Sequence, residues 1–207
     1  MDPAALFRPA TKADASALAV LVDIAGEGMP AYMWSTLAAP GQSVLEFGRE
    51  RAQRDSGGFS WRNAVVAEVN GEVAASLVGY RLDDPYDLGA LADMPEIVQP
   101  LVKLEATAPG SWYVNVLATF PEFRGRGIGA KLLEIAERTG SETGAPALSV
   151  IVASWNATAL RLYRRAGYAT VASEPAIAFP GSHREGDWVL MVKSLANRRL
   201  TGEARGQ

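Results

Sequence analysis

The sequence predicts a single mixed α/β domain, and three observations predict it. Strand-like runs alternate with amphipathic helical patterns along the 207 residues. Near the middle, an apolar run from Trp112 to Ala118 is broken by Pro121, and a glycine-rich turn then leads straight into a helical pattern. Earlier, two strand-like runs flank Asn70-Gly71, the strongest short hairpin signal. A composition of 48% hydrophobic residues suits one core of this size rather than two.

In chain order, Leu6-Phe7-Arg8 reads as a short first strand ended by Pro9. Thr11-x-x-Asp14 reads as a capping box that opens a helix to about Ala25, before Gly26 and Gly28. Met29 to Leu37 is aromatic and without a clear period, so it is expected to be irregular. Ser43-x-x-Glu46 caps another helix that ends near Asp55-Ser56-Gly57-Gly58. Ala64 to Val69 and Glu72 to Tyr80 are the two arms of the hairpin.

Residues 83–111 form an acidic insertion with six acids (Asp83, Asp84, Asp87, Asp93, Glu96, Glu105) against one base, Lys103. Ile97, Leu101, Val102 and Leu104 suggest a helix within it. A solvated surface loop is the favoured expectation, and an acidic flap that steers a cation is the other. Beyond the central strand, Ile128, Leu132, Ile135 and Ala136 recur on one helical face until Gly140 and Gly144. Leu148 to Ala153 is the next strand. Asn156 is a good N-cap for a helix whose Ala159, Leu160 and Tyr163 share a face, and Gly167 is its stop. Ala169–Ala172 and Trp188–Val192 are the last strands, separated by a loop from Pro175 to Gly186. The polar tail, 197–207, is expected to be loose.

The segment Arg124-Gly125-Arg126-Gly127-Ile128-Gly129-Ala130 carries the clearest chemistry. A strand, a glycine turn and a helix amino terminus offer free N–H groups and the positive end of the helix dipole to an anion. Glycines let the backbone approach closely, and Arg124 and Arg126 can add charge-assisted bonds to phosphate. A pyrophosphate is the expected ligand. A P-loop would need Gly-Lys-Ser/Thr, whereas Ala130-Lys131-Leu132 supplies no hydroxyl for magnesium. Gly125-x-Gly127-x-x-Ala130 fits the looser dinucleotide fingerprint, but the following strand ends in Ser154-Trp155-Asn156 instead of an acid that would hold a ribose.

A third pattern, Arg/Gln-x-x-Gly-x-Gly/Ala, is met by Arg124, Gly127 and Gly129. About thirty residues on, Asn156, Ala159, Leu162, Tyr163, Gly167 and Tyr168 meet N-x-x-A-x-x-L-Y-x-x-x-G-F/Y. With both signatures in order, the chain resembles the GNAT superfamily of acyl-CoA-dependent N-acyltransferases. That resemblance implies a central twisted, mixed but mostly antiparallel sheet of about six to seven strands flanked by helices. A splayed strand pair would hold coenzyme A. It also implies acetyl-CoA as co-substrate, with its pyrophosphate on Arg124 to Ala130. The backbone of Leu117, Ala118 and Thr119, together with Asn156, would lie along the pantetheine. Tyr163 would be the proton donor to the departing thiolate. The segment between the first helices would overhang the acceptor, with Met29, Tyr32, Met33 and Trp34 as candidates for shaping that site; the equal alternative is that they staple two helices together.

The implied reaction is direct transfer of an acetyl group to a primary amine, acceptor unidentified. An alkylammonium of pKa ~10 must first lose a proton, which costs about 4 kcal/mol at neutral pH. Many members of the family carry a glutamate on the strand before the glycine turn, but Trp112-Tyr-Val-Asn115-Val-Leu-Ala118 has no acid. Asn115 could hold a water in its place, and Glu105 could reach in from the insertion as base or amine anchor.

Other classes are narrowed by composition. The chain has no cysteine, which removes disulfides, thiolate metal sites and a cysteine acyl-enzyme. One histidine, His183, leaves no multi-histidine metal site, so no metal is expected. A net charge of −3 is too mild to suggest nucleic acid. No apolar run approaches the ~20 residues of a membrane span, and the expected setting is cytoplasmic. A homodimer is compatible with the sequence. Two alternatives stay open: a dinucleotide-binding module, and a non-catalytic acyl-CoA binder that serves as a sensor or interaction domain.

Overall fold

A computed structural model describes residues 4–182 and 185–195; His183 and the tail from 197 lie outside the described residues. Among the described residues, seven strands form one sheet: β1 (Leu6–Pro9), β2 (Ala64–Val69), β3 (Glu72–Arg81), β4 (Trp112–Thr119), β5 (Ala147–Ala153), β6 (Ala169–Pro175) and β7 (Asp187–Ser194). Their order is β1-β2-β3-β4-β5-β7-β6, and every neighbouring pair is antiparallel except β4 with β5. The hairpin turn between β2 and β3 has positive φ at both Asn70 and Gly71, as its sequence requires.

Among the described residues, six α-helices accompany the sheet: α1 (Ala15–Ala25), α2 (Met29–Leu37), α3 (Val44–Ala52), α4 (Gln99–Glu105), α5 (Ile128–Glu142) and α6 (Ala157–Arg165). On one face, Ile128, Leu132, Leu133 and Ala136 of α5 pack on Leu77, Trp112, Val114 and Leu148, and Tyr163 of α6 joins that cluster. On the other, Leu18, Leu21 and Val22 of α1 with Trp34 of α2 pack on Val66, Val78, Val116 and Ala118. A third cluster joins Leu104 and Ala108 to Ala153, Trp188 and Leu190.

Two expectations are corrected here. Met29–Leu37 is helical, because Pro30 falls in the first turn, where its missing N–H costs nothing. The Ala31 N–H at that end donates to Asp23 Oδ1 of α1 at 2.8 Å. Nor is the insertion only a surface loop. Leu104 is 1% exposed, so α4 is anchored into the core while the acids before it stay outside. Among the described residues no helix is long and apolar enough to cross a membrane.

Candidate active site

The site begins with a fault in the sheet. β4 pairs with β5 only over Trp112–Val114 against Leu148–Val150. On its other side, β4 passes from Val114 opposite Gly79 to Val116 opposite Val78, so Asn115 has no partner and forms a bulge. A bulge bends its strand, and from this residue onward β4 leaves β5. The closed end of the wedge is pinned by buried Ser111, whose hydroxyl meets Ser149 Oγ at 2.7 Å and donates to Ala108 O.

The wedge opens into a cleft of about 1060 Å³. Asn115, Leu117, Ala118 and Thr119 form one wall and Val150 to Ala153 the other. The glycine turn closes the floor. Gly127 is the N-cap of α5 at φ 77 and offers no side-chain acceptor, so the first N–H groups of α5 point outward unbonded by a cap. Gly125, Gly129 and Ala130 line the same floor. Arg124 fixes the turn to the end of β4 through Nε to Thr119 O at 3.1 Å. Arg126 behaves differently: it lies over the Phe123 ring at 5.4 Å, donates to Glu122 O, and its side chain does not line the cleft. Any part it has there falls to its backbone.

Across the cleft, Asn156 accepts from Ala159 N at 3.0 Å as the N-cap of α6. Tyr163 lies about two turns further on, 5% exposed and facing the cleft. Burial raises its phenol well above the ordinary tyrosine value, so it stays protonated at neutral pH. Arg161, Arg165 and Lys193 complete a cationic rim, with Lys193 paired to Glu137 at 2.7 Å. Sequence reading missed these three; the i, i+4 arginines of α6 were the available signal.

A second, smaller cavity of about 190 Å³ is lined by Glu27, Met29, Trp155, Phe179, Trp188 and Glu185, among others. Glu27 sits between α1 and α2 at φ 56, in the left-handed region that non-glycine residues rarely adopt. Its Oε1 accepts from Asn156 Nδ2 at 2.9 Å and its Oε2 from Trp155 Nε1 at 3.3 Å.

The sequence profile of the acetyltransferase (GNAT) family matches residues 31–168. The chain belongs to the GNAT acetyltransferase family. Solved structures with the same fold include an acetyltransferase at 24% identity and TM-score 0.63, covering 92% of this chain and 99% of that one. YncA of Salmonella typhimurium, determined with its cofactor acetyl-CoA, is 18% identical at TM-score 0.56, with 99% and 98% covered. The polyamine N-acetyltransferase of Drosophila melanogaster, which forms N-acetylagmatine, is 18% identical at TM-score 0.61, with 93% and 100% covered. At such identities these likenesses show the fold. No curated protein matches the chain.

Within this GNAT fold the expected site residues separate into three groups. Asn115, Leu117, Ala118, Thr119, Arg124, Gly125, Gly127, Ile128, Gly129, Ala130, Asn156 and Tyr163 converge on the large cleft. Met29 lines the small cavity, and Tyr32 reaches its edge by stacking on Phe179 at 5.2 Å. The third group lies elsewhere. Trp34 is in the core, stacked on Phe59 and so close over Gly48 that a Cβ there would stand 2.3 Å from the indole. It fastens α2 to α3. Met33 is half-buried and lines neither cavity. Glu105 also lines neither: anchoring α4 through Leu104 turns it towards Tyr86, whose hydroxyl donates to Oε2 at 2.6 Å. Burial raises the Glu105 carboxyl above its usual value despite the bonds from Tyr86 and Tyr113.

Proposed function

We propose that this chain is an N-acetyltransferase that takes an acetyl group from acetyl-CoA and passes it to a primary amine in a ternary complex. One observation carries the reading. The bulge at Asn115, the separation of β4 from β5, the uncapped amino end of α5 and the Tyr163 phenol all meet in one cleft. The chemistry of that cleft fits the co-substrate: outward N–H groups and a cationic rim suit a pyrophosphate, and an unpaired strand edge suits the amides of pantetheine.

Acetyl-CoA supplies the activated acyl group, and the residues of the chain do the rest. The first N–H groups of α5 with Arg124 hold the diphosphate. Freed N–H groups of β4 near Leu117 and Ala118 bond the arm and polarise the thioester carbonyl, an oxyanion-hole role. Asn115, unpaired in its bulge, orients the acetyl end or a water beside it. A neutral amine nitrogen attacks the carbonyl carbon, the C–S bond breaks, and Tyr163 gives its proton to the sulfur. The proton left on the new amide nitrogen returns to the Tyr163 oxygen, and the one shed by the ammonium goes to solvent. Acceptors named for structural neighbours, agmatine and polyamines among them, are amines, which supports the same class here.

Titration calorimetry with acetyl-CoA, followed by thiol release with amines, tests the reading. Binding with turnover supports it. Binding without turnover on any amine would leave an acyl-CoA binder, and failure to bind would remove the proposal altogether.

A further inference from the structure

The small cavity is joined to the large cleft by one side chain. Trp155, which lines the small cavity, holds Glu27 Oε2; Asn156, which lines the cleft, holds Oε1. Each oxygen keeps a lone pair, since a carboxylate offers about four acceptor sites and two are used. No lysine or arginine pairs with Glu27 among the described residues. A negative charge therefore stands at the boundary between the two spaces, fixed by a backbone conformation that sets its direction. Aromatic side chains make up part of the wall, with Trp155 and Trp188 5.6 Å apart and Phe179 held from behind by Tyr32, and Glu185 adds a second carboxylate to the lining. Aromatic faces beside a carboxylate suit a cation with a flat or apolar body. The volume of about 190 Å³ lies below the roughly 300 Å³ of ordinary ligand pockets, which favours a small acceptor over a folded chain end.

We infer that this cavity receives a compact primary amine with an aromatic or apolar body, and that Glu27 binds its ammonium and takes its proton. The inference rests on the acetyltransferase reading above. The ammonium gives one proton to the Glu27 carboxylate, which passes it to solvent. The neutral nitrogen then forms the bond to the acetyl carbon as the C–S bond breaks, Tyr163 protonates the sulfur, and the second proton of the nitrogen returns to the Tyr163 oxygen.

The test is thiol release from acetyl-CoA with phenethylamine, butylamine, spermidine and a dipeptide, using wild type, Glu27→Gln and Phe179→Leu. Binding of acetyl-CoA is measured separately by calorimetry. The expected result is a kcat/KM for phenethylamine at least about tenfold above spermidine and the dipeptide. Glu27→Gln should lose about a hundredfold in kcat/KM for phenethylamine while its acetyl-CoA Kd stays within about twofold. Phe179→Leu, a milder change in the wall, should raise KM for phenethylamine more than for butylamine. Preference for spermidine or the dipeptide, or full rate in Glu27→Gln, would overturn the inference. So would acetyl-CoA binding with no amine of the panel turned over, which would leave the cofactor site standing. Loss of acetyl-CoA binding in wild type would instead remove the acetyltransferase reading, and this inference with it.

Discussion

In the proposed reaction Tyr163 is the proton donor, and burial keeps its phenol in the protonated form that role requires. Raised above the ordinary phenol value, it remains protonated throughout the range where an amine acceptor is being deprotonated. Tyr163→Phe keeps the packing against Tyr168 at 5.7 Å and removes only the proton. It should cut kcat by about a hundredfold with little change in acetyl-CoA affinity. In wild type, kcat should not fall between pH ~8 and ~10 through loss of this proton, because the folded pKa lies higher. Glu105 gives the opposite lesson. Its folded pKa is raised, so between the ordinary glutamate value and that raised one the folded state binds more protons than the unfolded state. Stability from this group therefore falls as pH rises through that window and is level above it. Melting temperatures should show Glu105→Gln gaining on wild type as pH rises; a constant difference would contradict the burial argument. Asp14 has its pKa lowered, first by Arg8 and further by the Thr11 N–H at 2.7 Å. That stabilisation holds above the unfolded carboxylate value and is lost as pH falls through the folded one. Asp14→Asn should cost about 2 kcal/mol at neutral pH, read by denaturant unfolding.

Elements carry the site as much as residues do. At Gly127 nothing of the protein would touch an added Cβ, but φ is 77 and the methyl would crowd the free N–H groups assigned to the pyrophosphate in the proposed function. Gly127→Ala should weaken acetyl-CoA binding about tenfold with a smaller loss of stability. Gly79 works by close packing instead. A Cβ there would lie 2.1 Å from the Trp112 ring, beside the register shift that frees Asn115. Gly79→Ala should cost about 1–3 kcal/mol by overpacking. How legible these elements were depended on how local their causes are. The Asn70-Gly71 hairpin, the glycine turn before α5 and the Asn156 cap arise from neighbours in sequence, and each is seen as expected. Helix α2 was hidden because its aromatics show no clear period and its start is held by Asp23, eight residues before Ala31. The bulge at Asn115 was hidden too, since only register against β3 reveals it.

At the scale of the whole molecule, the sheet order puts the amino-terminal helices and the β6–β7 end beside one another at the cleft. Glu27 meets Trp155 and Asn156 across 128 and 129 residues, a contact that no local pattern in the sequence could announce. The same long-range packing took Trp34 into the core and turned Glu105 away from the cleft. The large cleft was legible because one continuous segment builds most of it, while the small cavity is assembled from three distant ones. A ligand that fills the cleft should stabilise the fold by about 2.7 kcal/mol at a hundred times its Kd. The most direct test of the account is release of free coenzyme A thiol from acetyl-CoA with phenethylamine, comparing wild type with Tyr163→Phe; a chain without cysteine adds no background. The account requires steady turnover by wild type and a loss of about a hundredfold in the variant. Equal rates in the two proteins would contradict the assignment of Tyr163 as the proton donor.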